Sequence, residues 1–352
     1  MHILIITPGF PENENDTDCI PPLQEYLKEL TKRFTEIKIS VVAIHYPDKK
    51  NKYCWERINV YSCGGKRRKQ PVRIFYWLRA IYYSLKINKK NQVNLIHSFW
   101  LNENAMIGNI LSRLLKVKHI NTMMGQDAKA GNKYHKIINL KNIFKVALTE
   151  FQAGYFRESC NMNPDKIIPW GVKSFPVEIN LRPIDILGAG SLIPVKNFQL
   201  FIKIVIELKK NFPAIKVAVT GDGVEKSRLK EMIYKNNLVH NLLLKGQLSR
   251  ESVLSDMTRS KIFLHTANYE SFGFVIAEAL AAGCYVVTKA VGCAKPADKL
   301  FIAQNDEEFK MIISNLLLNG KDFHAANIFP VENTAKAYSE LYSELFGSRK
   351  NS

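Results

Sequence analysis

Apolar positions along the chain fall into short runs separated by amphipathic stretches. Runs occur at 3–6 (ILII), 37–44 (IKISVVAI), 93–96 (VNLI), 119–122 (HINT) and 145–149 (KVALT), each the length of a buried strand. Between the first two, Leu23, Leu27, Leu30 and Phe34 recur at helical spacing. A second series follows the proline-containing stretch IIPWGVKSFPVEINLRP. It predicts strands near 184–189, 215–220, 241–245, 261–265 and 285–288, with helices at about 197–211, 225–236, 250–258 and 271–282. Strand–helix alternation that starts twice predicts an α/β chain of two Rossmann-like, parallel-sheet domains with helices on both faces. The expected division is 1–175, then 176–330, with a linker near 172–183. A last helix within 331–352 is expected to pack back toward the first domain, and the terminal SRKNS to fray.

Composition narrows the class. The 352 residues are 46% hydrophobic and 23% charged, which excludes a disordered or fibrous chain. Cys19, Cys54, Cys63, Cys160, Cys284 and Cys293 form no Cys-x-x-Cys, so neither a zinc ribbon nor a redox dithiol is expected. The apolar run at the amino terminus is too short for a secretory signal, and no stretch approaches the ~18 apolar residues of a membrane span. The expected location is the cytoplasm.

The net charge of +18 is unevenly placed: residues 1–175 hold 28 of the 50 basic residues but 14 of the 32 acidic ones. Within 49–90, thirteen Lys or Arg stand against Glu56 alone. In KRRKQPVRIFYWLRAIYYSLKINKK, Ile74, Leu78, Ile81 and Leu85 share one helical face, and Arg79, Lys86 and Lys90 share another. With Trp77 and several tyrosines, this predicts an interfacial helix on an anionic inner membrane surface, following the basic cluster Lys66, Arg67, Arg68 and Lys69. A core helix with a solvated basic face is the alternative. Nucleic acid is not expected as a partner.

Candidate chemistry concentrates in 265–288, HTANYESFGFVIAEALAAGCYVVT. Ligands of open parallel sheets bind at the carboxyl ends of strands, where this strand-to-helix turn would lie. The first amides of a helix form an anion site, and Gly273 lets a phosphate or sugar approach the backbone. Glu270 precedes the helix and Glu278 follows eight residues later, ~12 Å along a helix axis. Gly188-Ala189-Gly190-Ser191 with Lys196, Gly221-Asp222-Gly223, and Lys245-Gly246-Gln247-Leu248 end three further strands with small or cationic residues.

These pieces closely resemble, in order and spacing, the donor domain of family 4 of the retaining glycosyltransferases, which have the GT-B fold. They are GAGSLIPVKN, GDGVEKSRL, LLLKGQLSRESV and ESFGFVIAEALAAG. LIHSFW, MMGQDAK, VALTEF and IIPWGVK resemble the family's acceptor domain more weakly. The resemblance implies two Rossmann-like domains facing a central cleft and a nucleotide-sugar donor lying between them. It implies a hydroxyl of a glycan or polyprenyl-linked acceptor, cell-surface polysaccharide as the product class, and no cofactor or bound metal. By the family's pattern Lys196 neutralises the diphosphate, with Ser191 in the same turn. Phe272, Gly273 and Phe274 contribute around the phosphate and sugar. Glu278 meets the ribose, Glu270 the reacting sugar, and Gly246, Gln247 and Leu248 the base. Fixed donors aimed at a leaving diphosphate, and a carboxylate beside an oxocarbenium-like sugar, both lower the barrier.

The chain also departs from that pattern. Ser191 stands where an Arg is usual, the glycine pair after the first strand is replaced by PENENDTDCIPP, and Phe99 stands where a second histidine often occurs. A nucleotide-sugar-binding protein with impaired catalysis is the alternative these raise. A dinucleotide oxidoreductase is disfavoured, because ITPGFPENEN supplies no Gly-x-Gly-x-x-Gly. His97 is a candidate for the donor sugar or acceptor, or a structural strand-end histidine. Asp127 is a candidate acceptor-side base, or a simple turn residue. Asp16-Thr17-Asp18 has the spacing of a metal-binding pair, but its place in a polar loop favours a structural role.

Overall fold

The computed structural model describes residues 1–66, 72–174 and 181–347. Arg67, Arg68 and Lys69 of the basic cluster, the middle of the expected linker and the terminal SRKNS lie outside the described residues. The chain divides into two compact units, Met1–Gly171 with Val331–Ser352, and Val172–Pro330.

The first unit is built on an eight-stranded sheet in the order β3-β4-β2-β1-β5-β6-β7-β8. Its strands are β1 (His2–Gly9), β2 (Lys38–Tyr46), β3 (Asn51–Trp55), β4 (Ile58–Ser62), β5 (Leu95–Phe99), β6 (Lys118–Thr122), β7 (Phe144–Ala147) and β8 (Lys166–Ile167). All neighbours run parallel except β3 and β4. Ile3, Leu4, Ile5 and Ile6 of β1 are wholly buried, as befits a central strand covered on both faces. The crossover helices are α1 (Pro21–Arg33), α2 (Arg73–Lys90), α3 (Glu103–Leu115), the single turn α4 (Tyr134–Ile137) and α5 (Glu150–Cys160).

The β3–β4 hairpin lies inside the basic segment, where no apolar run announces it. Glu56 and Arg57 both take left-handed backbone angles, the geometry of a two-residue hairpin turn. The turn pairs Trp55 with Ile58, and Trp55 is fully buried against Phe10. Alternation over Trp55, Ile58 and Val60 therefore builds an edge that the lysines and arginines around it conceal.

Helix α2 seats on the sheet through Ala80, Ser84 and Ile87, with Tyr76, Trp77, Ile81 and Tyr83 packed beside them. The opposite face exposes Ile74, Phe75 (67% exposed), Leu78 (58%), Tyr82 (58%) and Leu85. Ile81 thus belongs to the seated side, one position round from the outer stripe.

After the second unit, α11 (Val331–Gly347) returns to the first. Tyr338 and Tyr342 of α11 are buried among Tyr26, His97, Phe99 and Trp170. A continuous hydrogen-bond chain runs from Tyr26 to Tyr342 (2.7 Å), His97 (2.6 Å), Thr122 (2.8 Å), Tyr338 (2.8 Å) and the Trp170 indole (3.1 Å).

The second unit has a six-stranded, wholly parallel sheet in the order β11-β10-β9-β12-β13-β14. Its strands are β9 (Ile184–Ala189), β10 (Val217–Thr220), β11 (Leu242–Gly246), β12 (Ser260–His265), β13 (Tyr285–Thr288) and β14 (Leu300–Ile302). The helices are α6 (Phe198–Asn211), α7 (Lys226–Lys235), α8 (Arg250–Thr258), α9 (Phe274–Ala281) and α10 (Asp306–Asn319). Ile186, Phe201, Val205, Ile262, Leu264 and Phe309 form part of its core. From β9 the chain steps outward to β10 and β11, then returns to β12 on β9's other side. The order reverses there, making a topological switch point. Helix α9 starts at Phe274, three residues later than its apolar pattern predicts, because Gly273 takes a left-handed φ of 92° as its N-cap.

Candidate active site

Three strand ends meet at the switch point. The Thr266 hydroxyl donates to the carbonyls of Lys196 (3.2 Å) and Asn197 (3.0 Å). The Asn268 amide donates to the Val195 carbonyl at 2.8 Å. These bonds tie the turn after β9 to the turn after β12. They bring the Lys196 ammonium onto Oε1 of Glu270 as a close ion pair. The same oxygen faces Nε2 of His265 at 2.9 Å, and Nδ1 of that ring faces the Thr288 hydroxyl, at the end of β13, at 2.9 Å. Burial pushes the Glu270 carboxyl up. The hydrogen bond from His265 and the charge of Lys196 outweigh burial and hold the carboxyl at about 2. Glu270 is therefore an ionised carboxylate at any physiological pH.

The backbone around this pair is shaped for close approach. A Cβ on Gly221 would lie 1.9 Å from the Gly190 carbonyl oxygen, so the turns after β9 and β10 touch backbone to backbone. The Gly221 amide in turn donates to the Gly246 carbonyl at 2.8 Å, linking the end of β11. Ser191 and Gln247 are exposed at this edge and Leu248 is half-buried. Gly273 opens α9 at the same edge. Phe272 is fully buried against Phe274 and Phe329, so it supports the turn from below.

Glu278 lies one helical stretch further, with its carboxylate 11% exposed. Nε and Nη2 of Arg250, the first residue of α8, donate to its Oε1 at 3.2 and 2.8 Å. The two glutamates of the signature are thus each engaged by cations from other elements, Glu270 by Lys196 and Glu278 by Arg250. Sequence reasoning missed His265, Thr288 and Arg250. The only signal for His265 was a polar residue closing the apolar run KIFLH.

His97 and Asp127 belong to the first unit. His97 is fully buried with both ring nitrogens engaged, Nδ1 by Tyr342 and Nε2 by Thr122. Burial, then the neighbouring His119, lowers its pKa well below the ordinary imidazole value, so the ring is neutral. The Asp127 carboxylate accepts from the backbone amides of Leu101 (2.6 Å), Gly125 (2.6 Å) and Met124 (3.4 Å), which organises its own turn. Burial raises its pKa, and those amides oppose the rise.

An open cavity of about 440 Å³ at the carboxyl ends of β1 and β2 is lined by Asp16, Asp18, Asp48, His45 and Lys66 among others. Asp16 there accepts from the Tyr46 hydroxyl (2.9 Å) and the amides of Glu12 (3.1 Å) and Cys19 (3.2 Å). Among the described residues no group of three or more His, Cys, Asp or Glu is placed to hold a metal ion.

Comparison with known proteins gives a consistent picture. Residues 172–322 match the family model described as glycosyl transferases group 1. An uncharacterized glycosyltransferase of Methanocaldococcus jannaschii is 24% identical over 360 aligned positions, which cover 91% of this chain and 93% of that protein. The fold is similar to sucrose-phosphate synthase from Thermosynechococcus elongatus, with a TM-score of 0.79 at 16% identity over 99% of this chain and 100% of that one. It is also similar to the pneumococcal O-GlcNAc transferase GtfA, solved with UDP and GlcNAc, with a TM-score of 0.68 at 13% identity over 98% and 99% of the two chains.

Proposed function

We propose that this chain, a GT-B-fold glycosyltransferase of the glycosyl transferases group 1 family that moves a sugar from a nucleotide-diphosphate donor to an acceptor, works with retention at the anomeric carbon. The observation that carries the reading is the Lys196–Glu270 pair at the switch point of the second unit. Lys196 holds the donor's diphosphate, and the turn at Gly273 and Phe274 offers backbone amides beside it. Glu278 accepts from the ribose hydroxyls, and Gly246, Gln247 and Leu248 meet the base at the end of β11.

Glu270 faces the sugar as the bond from C1 to the diphosphate oxygen breaks, where a fixed negative charge favours the oxocarbenium-like transition state. The acceptor oxygen bonds to C1 on the same face, and its proton passes to the leaving phosphate. The UDP and GlcNAc bound to the pneumococcal relative make UDP-N-acetylglucosamine the first donor to try. The measurement is UDP release with and without acceptor glycans. Glu270→Ala should abolish it in a folded protein, and Lys196→Ala should weaken UDP binding at least tenfold. Near-normal turnover by Glu270→Ala refutes the mechanism.

The acceptor in this reading is a hydroxyl of a glycan or a polyprenyl-linked carrier, met at the inner face of the cell membrane during surface-polysaccharide assembly. The outer face of α2 supports it. Ile74, Phe75, Leu78, Tyr82 and Leu85 make an exposed apolar stripe, edged by Arg79, Lys86 and Lys90. Among the described residues no helix is long and apolar enough to cross a membrane. A surface-lying helix with basic edges suits an anionic leaflet. His97 and Asp127 enter this reading as residues that shape the acceptor side of the first unit.

A further inference from the structure

We propose that His265 is a positioning residue that keeps Glu270 aimed once the donor's diphosphate has drawn Lys196 away; this rests on the roles of Lys196 and Glu270 proposed above. In the free protein, Oε1 of Glu270 takes both Lys196 and His265. The two partners differ in freedom. Lys196 ends a short turn, and its side chain is 23% exposed. A long, flexible ammonium there reorients readily toward a diphosphate, which carries more charge than one carboxylate.

His265 is fixed. It is 5% exposed, it stands at the end of β12 in register with Thr288, and Nδ1 is anchored on the Thr288 hydroxyl. When Lys196 turns to phosphate, His265 remains on Glu270.

The proton positions follow from the neighbours. A carboxylate held at about 2 is ionised and only accepts hydrogen bonds. Nε2 of His265 must therefore carry a proton. The Thr288 hydroxyl reaches both Nδ1 (2.9 Å) and the Lys289 carbonyl (3.2 Å). It donates to Nδ1 beside a neutral ring, or donates to the carbonyl and accepts from an imidazolium. Nε2–H points at Glu270 in either arrangement. Without this donor, the carboxylate has no fixed partner in the donor complex and is free to follow Lys196 away from the sugar.

Three variants separate a donor role from ring packing. His265→Gln carries its amide N–H to the reach of Nε2. His265→Asn carries one only to the reach of Nδ1. His265→Leu fills space and donates nothing. Turnover is read as UDP release from UDP-N-acetylglucosamine, UDP affinity by calorimetry, and folding by circular dichroism. The Leu and Asn variants should lose about ten- to a hundredfold in kcat, the worth of a hydrogen bond to a charged group. Their UDP affinity should stay within about twofold, while Gln stays within about threefold of wild type in both.

Equal kcat in all folded variants overturns the proposal, and so does equal loss in Gln and Asn. If Leu fails to fold, the Gln–Asn contrast decides. Nitrogen NMR of histidine-labelled protein reads the same point without turnover: Nε2 of His265 should stay protonated at saturating UDP, and an unprotonated Nε2 refutes the idea. Unchanged UDP affinity in Lys196→Ala would instead strike the underlying reading, so the two failures are distinguishable.

Discussion

If Lys196 is the diphosphate's cation, Glu270 competes with the diphosphate for it, and removing the competitor should tighten product binding. The perturbation is Glu270→Gln, which keeps the shape of the side chain and one acceptor oxygen but removes its charge. The side chains of the pair are 23% and 13% exposed, so the interaction is only partly screened. A hydrogen bond between charged groups is worth about 1.5–3 kcal/mol net in such a setting. That is the ceiling on what UDP gains when it no longer shares Lys196 with a carboxylate. Because Lys196 has three donors and the diphosphate needs only some of them, the expected gain falls just below that range, about 1.4 kcal/mol or tenfold in Kd. Calorimetric titration of UDP into wild type and Glu270→Gln measures it, at about 0.05 M and about 0.5 M salt. The difference should shrink at the higher salt, where the shorter Debye length weakens both contacts. Turnover by the same variant should be lost. A protein that binds product tighter and no longer turns over is the signature of a ground-state ion pair that the reaction must open. Equal or weaker UDP binding by Glu270→Gln refutes the competition and with it the assignment of Lys196 to phosphate.

Further tests reach other parts of the molecule. Ser191→Arg should leave UDP affinity within about threefold, if another cation already serves the diphosphate; a tenfold gain would show that the turn lacks a cation it needs. Tyr342→Phe should destabilise the first unit by about 2–4 kcal/mol, because it leaves two buried groups, His97 Nδ1 and the Tyr26 hydroxyl, without the oxygen they share. Thermal unfolding followed by tryptophan fluorescence reads this, and a loss under about 0.5 kcal/mol would mean the hydroxyl network contributes little. Phe75→Asp with Leu78→Asp should release the protein from anionic vesicles in a sedimentation assay while UDP affinity in the second unit is unchanged. Retained sedimentation would remove the membrane from the reading.

Local pattern carried the longer buried parallel strands, because a strand buried on both faces is an uninterrupted apolar run, but it missed β4 and the short β8 and β14. The five strands predicted for the second unit fall within two residues of their expected bounds at every start and end, and the sixth, β14, was not predicted. The pairing of Glu270 with Glu278 was legible only as a motif: α9 begins at Phe274, so half of the eight steps between them run through a non-helical turn, and the rise of a helix does not fix their separation. What pattern could not carry was anything set by distant partners. The β3–β4 hairpin was hidden by the charges that decorate it. The face on which α2 sits is chosen by the sheet below it, so small residues such as Ala80 and Ser84 point inward and Phe75 and Leu78 outward. The surroundings of His97 were out of reach for the same reason: one of its two partners, Tyr342, is 245 residues away. Arg250 and His265 were passed over because neither makes a recognisable spacing with the glutamate it touches.

The return of α11 to the first sheet has a consequence for how this protein is made. The first unit leaves the ribosome early, yet it lacks the tyrosines that satisfy His97, Thr122 and Trp170 until residue 342 has been added. The second unit, Val172–Pro330, is continuous and closes on itself where the Val172 amide meets the Phe329 carbonyl at 2.8 Å. Synthesis therefore runs against the usual order, in which the amino-terminal portion completes first. The inserted unit can finish while the surrounding one waits with Tyr26, Phe99 and Trp170 uncovered. A chain that reached Pro330 but lacked α11 would hold the whole second unit and leave the aromatic surface of the first uncovered. An uncovered apolar surface of that kind favours capture by chaperones and proteases, so completion of the first unit waits on α11.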